Sequence, residues 1–162
     1  MQPYDGRSDF DFIFGTWQIA NRRLADRGNP QCVDWIEFET TSRAYPIFDG
    51  LAHVDLIEAG PHVPGGPWQG LTLRQFDPTD GLWRIWWSSS LRPGHLDPPL
   101  SGSFVAGVGT FAGDDELDGQ PIKLRFEWRN AAPDSARWQQ SFSFDGGQTW
   151  VANWTMDFTR RA

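Results

Sequence analysis

A chain of 162 residues with 39% hydrophobic and 15% aromatic residues, ten Trp and twelve Phe among them, is long enough for one ring-rich core and needs no second domain. Fourteen Lys and Arg against twenty-one Asp and Glu give a net charge of -7 and a pI near 4.8, which argues against a nucleic-acid surface and against docking on anionic lipid. The lone Cys32 excludes an internal disulfide and no apolar run approaches a membrane span or a signal h-region, so a soluble, cytoplasmic protein is expected.

Residues 1–8 read as a flexible polar arm and 9–162 as a single domain. Ser8 or Asp9 is suited to cap one short helical turn running to Phe14. Gly15 then allows a sharp backbone turn, and Trp17 is placed to plug one end of a β-structure. A first strand is expected from Thr16 to about Asp26, with Trp17, Ile19, Asn21 and Arg23 on one face. Cys32 to Ala44 is β-rich, with Phe38 among its rings. After the turn around Asp49-Gly50 comes Leu51 to Ala59, where His53 and Asp55 share a face.

A Pro/Gly-rich loop covers 60–67. Leu71 to Phe76, then Asp77-Pro78-Thr79-Asp80-Gly81, then Leu82 to Ser90 read as a hairpin, with Trp83, Ile85, Trp87 and Ser89 facing inward. The prolines of 91–99 lack donors for a ladder, which makes that stretch a rim loop. The remaining strands are expected at Ser103 to Val108, Gly109 to Asp114, Pro121 to Arg129, Ala136 to Phe144 and Trp150 to Arg160. About nine or ten short antiparallel strands in up-and-down order leave open edges unless the sheet closes, so an all-β barrel is expected, with a two-sheet sandwich as the alternative.

Ser143-Phe144-Asp145-Gly146-Gly147-Gln148-Thr149-Trp150 matches the Asp-box pattern of sialidase propellers. It occurs once, and its physics is that of a hairpin in which Asp145 bonds the turn backbone. His53 beside Asp55 forms a workable acid/base or ligand-orienting pair if that face lines a cavity, with the carboxylate favouring the charged imidazole; if it faces water, the pair is a solvated decoration. Arg74 is either a carboxylate-orienting group or a surface cation. Gln140, in register with Trp138 and Phe142, is a polar group for an apolar lumen. A metal site assembled from His53, His62 and His95 is not expected, and Glu37 with Glu39, or Asp114 with Glu116, read as rim charges. No nucleophile elbow or phosphate loop is present in the sequence.

Gly15-Thr16-Trp17, with a late Arg160 or Arg161 able to pack over that tryptophan, resembles the lipocalin-like calycin superfamily. More closely, Phe10 through Trp17, Thr72-Leu73-Arg74, Asp77-Pro78, and Arg137-Trp138 through Phe158-Thr159-Arg160 resemble the bacterial DUF1579-type proteins over nearly the whole chain. The resemblance implies a barrel with a ligand-sized interior and no assigned activity. Similar heme-binding barrels, the nitrobindins, use a histidine late in the chain; no histidine follows His95 here, so no heme or other cofactor is expected.

Three functions follow as expectations. The first is a binding barrel for a small, mostly apolar or aromatic molecule, lined by Phe38, Trp87, Phe126, Trp128, Trp138, Phe142 and Trp154 with His53, Asp55, Arg74 and Gln140 as polar handles. The second is a small isomerase, cyclase or hydrolase with His53 as acid/base and Asp55 orienting it. The third is a structural or homodimerising module with outward Trp68 and Trp86 as the partner surface.

Overall fold

The computed structural model describes residues 5–162, so the first four residues of the expected N-terminal arm lie outside the described residues. Asp5 accepts a hydrogen bond from the Arg7 backbone and starts a 3-10 turn over Gly6–Ser8; a second covers Asp11–Ile13. Ten strands follow: β1 (Gly15–Leu24), β2 (Trp35–Ile47), β3 (Ala52–Ala59), β4 (Trp68–Asp77), β5 (Leu82–Ser89), β6 (Leu100–Val105), β7 (Val108–Leu117), β8 (Gln120–Ala132), β9 (Ser135–Ser143) and β10 (Val151–Arg160). Each pairs with its sequence neighbours, and β1 pairs with β10, which closes the barrel. The fold is thus the all-β, up-and-down barrel expected, and among the described residues each strand pairs on both sides, β5 with β6 only over Trp83 to Ile85.

Two strands, β4 and β6, begin a full three residues earlier than the sequence pattern indicates. β4 reaches back to Trp68, which puts Trp68, Gly70, Thr72, Arg74 and Phe76 on one buried face. Trp68 is only 5% exposed and points into the barrel, which corrects its assignment to an outward partner surface. β6 begins at Leu100, opposite Ile85, because Pro99 holds the residue before it extended and feeds the chain straight into the ladder.

The end that holds the first residues of β1 is shut. Phe10 and Ile13 are fully buried, and the Phe10 ring meets Trp83 at 5.1 Å, Phe104 at 4.9 Å and Phe111 at 5.4 Å. Trp17 donates from Nε1 to the Ile13 carbonyl at 2.8 Å, and Trp83 donates to the Gly6 carbonyl at 3.0 Å, so indoles from two strands hold the plug. Arg160 then lies over Trp17 at 4.2 Å and donates to the carbonyls of Phe14 at 2.6 Å and Phe12 at 3.0 Å. Gly15 has φ +112°, and a Cβ there would come within 2.8 Å of Arg160 Nη1, which is why glycine precedes the tryptophan.

The opposite end carries the connections 25–34, 60–67, 90–99 and 144–150. In the last of these Asp145 accepts from the Thr149 backbone at 2.8 Å and hydroxyl at 2.6 Å, and Ser143 donates to it. These bonds hold the Asp145 carboxyl down to about 2, as a structural hairpin requires.

Candidate functional site

Strand alternation sends the rings of β4, β5, β8, β9 and β10 inward, around a cavity of about 470 Å3. Trp87, Trp68, Trp154, Trp138 and Phe126 form a continuous aromatic wall, with successive ring centroids 6.3, 6.4, 5.7 and 5.1 Å apart. Trp128 and Phe142 complete it. Trp87 lies over Gly70, where a Cβ would fall 2.1 Å from the indole, so the absent side chain makes room for the ring.

Two charged residues sit at the floor. Asp55 on β3 and Arg74 on β4 are 1% and 2% exposed, and Arg74 Nη2 donates to Asp55 Oδ2 at 3.0 Å. The guanidinium rests on Phe10 of the plug at 5.0 Å and on Trp128 at 5.3 Å. Burial pushes the Asp55 carboxyl up, and the Arg74 charge and hydrogen bond oppose it. Arg74 Nε and Nη1 and Asp55 Oδ1 have no hydrogen-bond partner. Both residues line the cavity, so this is a buried ion pair with spare donors and a spare acceptor.

His53 goes elsewhere. It is fully buried, 4.6 Å from the Trp83 ring and 4.7 Å from Phe14, behind the cavity wall at the plugged end. Burial, then the Arg74 charge, lower its imidazole to about 3, against an opposing contribution from the Gly50 backbone. It is therefore neutral, and the carboxylate expected to charge it is engaged by Arg74 instead. The pairing of His53 with Asp55 as an acid/base couple is not formed: residues two apart on a strand share a face, but the register opposite them, His53 with Arg74 and Asp55 with Thr72, gave the carboxylate a stronger partner.

Of the other expected lining residues, Trp87, Phe126, Trp128, Trp138, Phe142, Trp154, Arg74 and Gln140 line the cavity, while Phe38 is buried against Trp154 at 6.4 Å without reaching it. Gln140 donates to Asn153 Oδ1 at 2.8 Å. Asn153 escaped sequence reasoning because it is the extra residue of a β-bulge in β10, between the Ala152–Ser141 and Trp154–Gln140 pairs. The three histidines do not converge: His53 is at the plug, His62 in 60–67 and His95 at the mouth.

At the mouth the 90–99 connection folds back on β5. Asp97 donates its backbone N–H to the Trp87 carbonyl at 2.8 Å and Ser88 donates to the His95 carbonyl at 2.8 Å. The Asp97 carboxylate pairs with His95 at 3.0 Å and with Arg92 at 3.9 Å. Arg23, the last inward residue of β1, and Arg27, from 25–34, lie over the Trp154 ring at 5.1 and 5.3 Å. Both line the cavity, and neither was marked as a site residue by sequence.

No family model and no curated protein matches the chain. Among solved structures, EF1p2_mFAP2b bound to DFHBI is similar over 96% of this chain and 99% of that one, at 11% identity and a TM-score of 0.51. The ywiB protein from Bacillus subtilis aligns over 91% of each chain at 14% identity, with a TM-score of 0.34. No helix among the described residues is long and apolar enough to cross a membrane. The likeness to EF1p2_mFAP2b is one of fold: the chain is a closed ten-strand antiparallel barrel.

Proposed function

We propose that the protein is a cytoplasmic binding barrel for one small, mostly apolar or aromatic molecule, of the bacterial DUF1579 type that its sequence resembles. The observation that carries this reading is the unsatisfied Asp55–Arg74 pair at the floor of a ring-lined cavity. A buried polar atom without a partner costs about 1–3 kcal/mol, and a bound head group that accepts from Arg74 and donates to Asp55 Oδ1 removes that cost. The cavity volume lies within the range of small-molecule sites, whose few polar groups orient a largely apolar ligand. In EF1p2_mFAP2b a barrel of similar fold is bound to a small molecule, DFHBI, which supports the same use of the interior here.

Enzymatic use of His53 has no comparable support, since its neutral ring is packed behind Trp83. The dimerising reading loses Trp68 to the interior.

Native mass spectrometry of protein purified from its own host tests the proposal. One small-molecule adduct per chain, displaced by the neutral fluorophore N-phenylnaphthylamine, is expected. No adduct and no fluorophore binding would overturn it.

A further inference from the structure

We infer that the neck of the cavity is an anion-binding subsite made by Arg23 and Arg27, so that the ligand is an organic acid whose anionic group stays at the mouth while its far end reaches the Asp55–Arg74 pair at the floor. This rests on the binding-barrel reading and names the ligand class within it.

Four arginines line the cavity: Arg23, Arg27, Arg74 and Arg92. Arg74 has Asp55 and Arg92 has Asp97, whereas among the described residues neither Arg23 nor Arg27 is ion-paired. Their guanidinium groups instead both lie over the Trp154 ring, at 5.1 and 5.3 Å from its centroid, close enough for the Arg23 charge to act on Arg27. Burial, and then the Arg23 charge, bring Arg27 down to about 10, with Asp97 the opposing influence; burial also lowers Arg23. Two partly dehydrated cations with no carboxylate in ion-pair contact are an unfavourable arrangement that one bound anion relieves.

The acids nearby do not fill that role. Asp97 is engaged by His95 and Arg92, Asp115 accepts from the Glu116 backbone at 2.7 Å, and Asp26 is exposed and accepts from the Gly28 backbone at 3.0 Å. Glu116 and Asp118 also border the cavity mouth, but both are exposed, where water and salt screen them. The guanidinium fork suits a carboxylate, sulfonate or phosphate, and the adjoining tryptophans suit an aryl or hydrocarbon body.

Anilinonaphthalenesulfonate and N-phenylnaphthylamine share a ring system and differ by the sulfonate, so fluorescence titration of both isolates the anionic contact. The unaltered protein is expected to bind the sulfonate about tenfold more tightly than the neutral probe, the worth of a charge-assisted contact. The double variant Arg23→Gln/Arg27→Gln, checked for folding by near-UV circular dichroism, is expected to abolish that preference, and Arg27→Lys to keep part of it. Added salt gives a second reading that needs no variant: it is expected to weaken the sulfonate and not the neutral probe. Equal affinity for both probes, or a preference that survives the double variant, overturns the anionic subsite and leaves the binding barrel standing. Failure of both probes to bind overturns the barrel reading itself.

Discussion

A histidine enclosed by Phe10, Phe14 and Trp83 resists protonation, and this ties His53 to the pH dependence of stability. Its folded pKa of about 3 lies below the ordinary 6.5, so the unfolded chain takes up the proton first. The stability it contributes is therefore complete above the unfolded pKa and is lost as pH falls towards the folded one. Between pH 7 and pH 5 the loss is about 2 kcal/mol. Urea melts are expected to show it for the native chain and not for His53→Gln. Asp55 and Arg74 give a second residue-scale prediction. Arg74→Met strands a buried carboxylate and is expected to cost about 3–5 kcal/mol, whereas Arg74→Met/Asp55→Leu recovers much of that. Thermal and urea denaturation of the three proteins provides the check, and the double variant should still lose affinity for ligands with a polar head.

Elements contribute through what they leave out as much as through what they pair. The plug is two short 3-10 turns that cannot hold together alone, and their docking depends on Arg160 at the end of β10. Removing that guanidinium in Arg160→Met deletes charge-assisted bonds to the Phe12 and Phe14 carbonyls and the stack on Trp17. A loss of about 2–3 kcal/mol is expected by chemical denaturation. On β4, Gly70→Ala drives a methyl into the Trp87 indole. Because Trp87 lines the cavity, the ring must shift, and a change of about tenfold in N-phenylnaphthylamine affinity is expected by titration.

At the scale of the molecule, the barrel separates stability from binding along its axis. One end is dry and ring-packed around Phe10 and Trp17; the other is built of loops that carry Arg27, Arg92 and His95. Occupancy should therefore stabilise the whole fold without altering it, and a saturating probe at about a hundred times its Kd is expected to add about 2.7 kcal/mol, read as a rise in Tm. Local chemistry alone determined much of this. Period-two alternation, the Asp-Pro and Gly-Gly turns and Gly15-x-Trp17 were enough for an all-β barrel with a plugged end, because each is a short-range steric or solvation preference. The inward rows Trp83, Ile85, Trp87 and Trp138, Gln140, Phe142 were legible for the same reason. What tertiary structure decided was partnership between strands. Alternation places His53, Asp55 and Arg74 inside, but only the β3–β4 register joins Asp55 to Arg74 and leaves His53 at the plug. The bulge that brings Asn153 to Gln140 breaks the period-two alternation of β10, and the contact of Arg23 and Arg27 with Trp154 depends on residues more than a hundred positions apart meeting across the closed seam, which no local pattern encodes.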